Sequence, residues 1–260
     1  MLDRYTQTEF THEGETKPVY VRGQGPAVIV IHEIPGITPN VVRFADWVVD
    51  AGFRVYMPLL VGQAGRDVTI PYVLKSMATI CIRREFHVMA SHRSSPVTDW
   101  LRGLARYAHE EAGGKGVGAV GMCFSGNFAL SMMMEPALMA PVLSQPSFPF
   151  PLGDARKAAL HVTPAELDNL KIRCAKGDKV LGLRFKGDKS SPPERFDTLR
   201  RELGDAFEGI EIEDKHRNPN SKTPSAHSVL TEDLIDKDGE PTKDAAKRVV
   251  DFFVERLLTP

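Results

Sequence analysis

The 260-residue sequence predicts an α/β fold, with a mostly parallel central sheet and helices on both faces. Three observations predict it. Strand-like and helix-like segments alternate along most of the chain, the pattern of a layered α/β architecture. The run AVIVI (Ala27–Ile31) is apolar throughout rather than alternating, as suits a strand covered on both faces. Strand, helix and strand then follow one another within about 30 residues, the span of a βαβ unit. With 42% hydrophobic residues the chain can bury one large core, and it reads as a single domain over residues 1–260.

The elements follow in order. Val19–Val21 and Ala27–Ile31 are strand-like runs separated by the turn signal Gly23-Gln24-Gly25-Pro26. In TPNVVRFADWVVDAG, Val41, Phe44, Val48 and Val49 share one helical face; Thr38 is the candidate cap, Pro39 suits the first turn, and Gly52 stops the helix. FRVYMPLL returns as a strand. SSPVTDWLRGLARYAHEEAGGKG reads as a helix ending in glycines, VGAVG as a short buried strand and NFALSMMM as a helix. LRFKGD, PPERFDTLRRELG and EGIEIED give strand, helix and strand. The last helix, PTKDAAKRVVDFFVERLL, aligns Ala246, Val249, Val250, Phe253 and Leu257 on one stripe. HRNPNSKTPSAHS is polar and turn-rich, a long loop of the kind that usually carries function or moves. In such a fold, function concentrates at the carboxyl ends of the strands.

Composition excludes several classes. Lys+Arg 33 against Asp+Glu 34 offers no electrostatic attraction for nucleic acid or an anionic membrane. No apolar stretch approaches the roughly 18–20 residues that cross a bilayer. MLDRYTQTEF lacks the charged and apolar regions of a secretory signal, so a cytoplasmic protein is expected. Cys81, Cys123 and Cys174 are too few and scattered for a disulfide framework, and none forms a C-x-x-C pair. His32-Glu33 lacks H-E-x-x-H spacing, so no metal is expected.

GVGAVGMCFSGNFALSMMM (Gly116–Met134) holds the strongest chemical signal. A nucleophile on a strand-to-helix elbow occupies a strained backbone position, which requires small residues two before and two after it. Cys123 has Gly121 before it and Ser125 after, with Gly126 next; Ser125 would have Cys123 and Asn127, a poorer fit. Cys123 is therefore the candidate nucleophile, and Ser125 a spacer whose hydroxyl packs or caps. A thiol needs a base, and the base an orienting acid. His227, flanked by small residues in the long loop, is preferred over His216. KGD occurs twice, but Asp188 follows the run VLGLRF and so sits at a strand's carboxyl end, whereas Asp178 precedes it. The order Cys123, Asp188, His227 is nucleophile, acid, base. Glu33, at the end of AVIVIHE, faces the same rim.

These residues resemble the dienelactone hydrolase family of α/β-hydrolases. GMCFSG matches a G-x-C-x-G-G elbow with Ser125 in place of a glycine. HEIPGI matches an early strand ending in glutamate and a turn, KGDKSSPP the acid motif, and AHSVL the base motif. The resemblance implies an α/β-hydrolase fold and a cysteine-dependent hydrolase of a small-molecule ester or lactone, working through an acyl-enzyme without a cofactor. It implies that Cys123 attacks, His227 is the base and Asp188 orients it. Glu33 would contact the thiol and help generate the thiolate, and the backbone N–H groups of Phe124 and Ile34 would form the oxyanion hole. An arginine that holds the substrate carboxylate a few residues after the base is replaced here by Ser228, Val229, Leu230 and Thr231. Arg83 and Arg84 are the candidates for another of the arginines that hold the carboxylate. The competing expectations are a ligand-binding protein on a hydrolase scaffold and a thioesterase.

Overall fold

The computed structural model describes residues 1–82, 95–147 and 153–259. Its strands are β1 (Thr6–His12), β2 (Glu15–Arg22), β3 (Ala27–Ile31), β4 (Arg54–Pro58), β5 (Val117–Met122), β6 (Leu138–Ser144), β7 (Val180–Phe185) and β8 (Phe207–Ile212). They form one sheet in the order β1-β2-β4-β3-β5-β6-β7-β8. β2 runs antiparallel to β1 and β4, and every other pairing is parallel. The helices are α1 (Pro39–Asp50), α2 (Ile70–Ile82), α3 (Pro96–Ala112), α4 (Gly126–Ser131), α5 (Asp154–Ala158), α6 (Pro164–Ala175), α7 (Pro193–Leu203) and α8 (Pro241–Phe253). The α/β expectation holds, with the sheet covered on both faces.

β3 explains why AVIVI must be apolar at every position. Ala27, Ile29 and Ile31 enter one core with Trp100, Leu101 and Leu104 of α3, Leu170 of α6, and Phe196 and Leu199 of α7. Val28 and Val30 point the other way, into a core with Val41, Phe44 and Val48 of α1 and Ala245, Val249 and Phe252 of α8. Alternate side chains leave a strand on opposite faces, so a strand sandwiched between helices has no polar side. Each such fully buried aliphatic side chain contributes about 1.5–3 kcal/mol relative to exposure.

One device starts three of these helices. Thr38-Pro39, Ser95-Pro96 and Thr163-Pro164 each place a hydroxyl residue at the cap and proline at the first helical position. The cap oxygens accept the N–H groups of Val41, Thr98 and Glu166 at 3.4, 3.3 and 3.1 Å. Proline costs nothing there, because its missing N–H would have had no helical partner.

β1, α2, β6, α5 and α6 have no counterpart among the elements expected from the sequence. β1 is largely exposed and has no apolar period; its seven residues are held by an antiparallel ladder to β2. β6 contains Pro141, normally a signal against a central strand. Its ladder with β7 begins only at Val142, so the proline is accommodated before that pairing starts. No helix among the described residues is long and apolar enough to cross a membrane.

Candidate active site

The elbow follows directly from the packing of β5 against α4. Cys123 directly follows β5 with φ +58°, a left-handed conformation that is costly for a side-chain-bearing residue. The surrounding small residues make this turn possible. A Cβ on Gly121 would lie 2.0 Å from the Ser125 carbonyl oxygen, and one on Gly126 would lie 2.8 Å from Pro146 Cα. Ser125 is fully buried. Its Oγ accepts the Met122 N–H at 2.8 Å and reaches the carbonyls of Ile31, His32 and Met122 at 3.0, 3.1 and 2.9 Å. The hydroxyl thus stitches the elbow to the end of β3, while the Cys123 side chain is half-buried.

Asp188 lies in the loop after β7, two residues beyond Lys186. Its Oδ1 accepts the Ser190 N–H at 2.9 Å, which leaves Oδ2 facing His227 Nδ1 at 2.7 Å. The Cys123 sulfur lies close enough to the imidazole to act on its charge. Burial opposes charge on His227, yet Cys123 and the Asp188 carboxylate together raise it well above the usual imidazole range. The three residues that the sequence ordered as nucleophile, acid and base therefore meet. The rival acid, Asp178, sits elsewhere in ion pairs with Arg173 at 2.7 Å and Arg256 at 2.9 Å. The rival base, His216, ends a short turn after β8 and makes no hydrogen bond with these residues.

Glu33 is buried beside them, and its partners were not foreseen. Oε2 accepts from Ser228 Oγ at 2.8 Å and from the Gln145 amide at 3.2 Å, and Oε1 accepts from Thr231 Oγ1. All three donors are neutral. Burial raises the Glu33 carboxyl above its usual range, against which these hydroxyls and nearby His227 act. The hydrogen bonds of Glu33 go to these three side chains rather than to the Cys123 thiol. Gln145, buried at the end of β6, has φ +33°. Its side-chain oxygen accepts from Ser144, so both ends of the amide are held.

His32 supports the turn that carries Ile34. Its Nδ1 bonds the Glu33 carbonyl at 2.7 Å, and its Nε2 accepts the Leu60 N–H at 3.0 Å. The ring is thus neutral, and burial depresses its pKa to about 4. Ser76 of α2 donates to the Pro35 carbonyl at 3.1 Å from the other side. Ile34, Cys123 and Phe124 all pack against one core, with the Phe124 N–H in the short turn that opens at Cys123. Arg83 and Arg84 lie outside the described residues. Among the described residues no group of three His, Cys, Asp or Glu side chains could hold a metal ion.

His32 carries a pH prediction. An unfolded histidine titrates near 6.5, so between about 6.5 and 4 the unfolded chain takes up a proton that the folded site refuses. Its contribution is complete above about pH 6.5 and declines by about 3 kcal/mol as pH falls toward 4. Denaturant unfolding at pH 7 and pH 4.5 checks this: His32→Gln should lose less stability across that interval than wild type. Equal losses would contradict it.

The sequence pattern of the dienelactone hydrolase family matches residues 15–170. The chain belongs to the dienelactone hydrolase family. Members hydrolyse carboxylic esters, and this dienelactone hydrolase family protein is a carboxylic ester hydrolase by that membership. The matched span contains Glu33, Ile34, Cys123 and Phe124, and ends before Asp188 and His227. Among solved structures, the family member resembles a Klebsiella pneumoniae protein assigned as a dienelactone hydrolase, with 21% identity, TM-score 0.63, and 96% and 98% of the two chains covered. It also resembles an Anabaena variabilis dienelactone hydrolase (12%, 0.61, 98% and 99%) and a dienelactone hydrolase-like promiscuous phosphotriesterase from metagenomic libraries (15%, 0.61, 97% and 98%). At such identities the likeness is one of fold. No curated protein sequence matches the chain.

Proposed function

We propose that this family member hydrolyses small esters or lactones through a cysteine acyl-enzyme. The observation that carries the reading is Cys123 at φ +58° on the β5–α4 elbow, beside a His227 that Asp188 holds at 2.7 Å. His227 takes the thiol proton, and the sulfur attacks the substrate carbonyl carbon. The Phe124 and Ile34 N–H groups stabilise the oxygen as it becomes negative, the Phe124 donor standing at the start of a helical turn. The tetrahedral intermediate expels an alkoxide, which collects the proton from His227, leaving a thioester on Cys123. His227 then deprotonates a water that attacks the thioester, and the acid leaves as the thiol is restored.

The residues after the base bear on the substrate. Where the family resemblance calls for an arginine, Ser228, Val229, Leu230 and Thr231 follow without a cation. A substrate carboxylate would find no positive charge in that stretch, which favours uncharged acyl groups over dienelactone itself. The test is to mix the protein with an excess of a p-nitrophenyl ester, quench in acid and map the adduct by peptide mass spectrometry. The expected result is one acyl group on the peptide bearing Cys123. Turnover without any acylated cysteine would overturn the reading.

A further inference from the structure

We propose that Asp233, paired with Arg217, is the positioning residue that holds His227 in register with the thiol. The inference rests on His227 being the base. An imidazole can act only if its backbone is held as firmly as its ring, within about 0.5 Å. The ring has Asp188. The backbone lies in the stretch between β8 and α8, where no strand ladder supports it.

Asp233 supplies that support from a fully buried position. Its Oδ2 accepts the N–H groups of both His227 and Ser228, each at 2.8 Å. Thr223 Oγ1 lies 3.0 Å from each oxygen, and Arg217 Nε donates to Oδ1 at 3.0 Å. Arg217 Nη2 also donates to the Thr223 carbonyl at 2.7 Å. The backbone closes the same ring: the Asp233 N–H reaches the Ser228 carbonyl at 3.0 Å, and the Asn218 N–H reaches the Asp233 carbonyl at 2.9 Å. One carboxylate therefore binds the base's own peptide and the next one. The second matters as well, because Ser228 Oγ holds Glu33 at 2.8 Å. Asp233 sets the base and the buried glutamate together.

The experiment compares wild type, Asp233→Ala, Asp233→Asn and the double variant Asp233→Asn/Arg217→Gln. Two readouts are taken: kcat and KM on an activated ester, and the low-field imidazole N–H proton resonance, assigned to His227 by its loss in His227→Gln. Asp233→Ala should lower kcat about 100-fold with KM within about twofold, the signature of misaligned groups rather than lost binding. It should also abolish the resonance. Asp233→Asn turns an amide donor toward either Arg217 or the two N–H groups, so it should fall short of wild type. Replacing Arg217 by glutamine gives that amide an acceptor and should recover part of the rate.

Unchanged kcat and an unchanged resonance in Asp233→Ala would overturn the proposal. Should that variant fail to fold, the asparagine pair decides: a deficit restored by Arg217→Gln supports the proposal, and Asp233→Asn equal to wild type overturns it. Failure of the thiol hydrolase reading looks different. Wild type would then show no turnover dependent on Cys123, while the resonance would still report whether Asp233 sets the imidazole.

Discussion

Cys123→Ala should lose about five orders of magnitude in kcat/KM on an activated ester, close to the loss seen when any triad nucleophile is removed. The residual rate would come from the oxyanion donors and from binding alone. Alanine keeps a Cβ at the same positive φ, so thermal stability should barely move. Ser125→Ala makes the discriminating partner. It removes a buried hydroxyl that accepts the Met122 N–H and reaches three carbonyls. That should cost about 1–3 kcal/mol of stability and at most tenfold in rate. A dead Ser125→Ala beside an active Cys123→Ala would mean that the elbow presents the serine.

Asp188→Asn should lower kcat by about four orders of magnitude, because it imposes the wrong imidazole tautomer. The geometry leaves the new amide little choice. The Ser190 N–H donates to Oδ1 at 2.9 Å, so an oxygen is wanted there, and the amide nitrogen turns to His227. The Nδ1 atom must then accept, Nε2 carries the proton, and the ring has no lone pair for the thiol. His227 also loses one of the charges that raise its pKa, so the limb of the pH–rate profile that it governs moves to lower pH. Asp178→Asn in the other KGD sequence is the control. Asp178 pairs with Arg173 and Arg256 away from the site, so the rate should change little.

The parts of this protein that were readable from sequence share a property: their signals are local. AVIVI, the Thr38-Pro39 helix start, and the glycines on either side of Cys123 each declare themselves within a few residues. The contact of Asp188 with His227 was also readable, since Asp188 comes just after a buried run while Asp178 precedes it. What escaped depends on distant partners. β1 exists only against β2, and β6 hides behind Pro141. Gln145 was invisible because the strand that ends beside it was not recognised.

In the stretch TEDLIDKDGEPT nothing nearby singles out Asp233 from Glu232 or Asp236. Its role comes from Arg217 and from peptides earlier in the loop. Thr231 was noticed only as one of four residues where an arginine is missing, and its bond to Glu33 spans most of the chain. Ser125, expected to be a spacer whose hydroxyl packs or caps, does so as a clasp between two strands.

The ring closed by Asp233 also bears on how this protein can be altered. Arg217 and Asn218 on one side and Thr223 on the other are fastened to the same residue. Between them Pro219, Asn220 and Lys222 are exposed. Lengthening such a tethered tip costs little, since each doubling of a flexible loop adds only about 0.6 kcal/mol of closure entropy. New sequence spliced there would hang from the ring fastened by Asp233 without pulling on His227. The tip is thus an entry point for grafting an additional recognition segment, where chain length can vary while the chemistry stays in place.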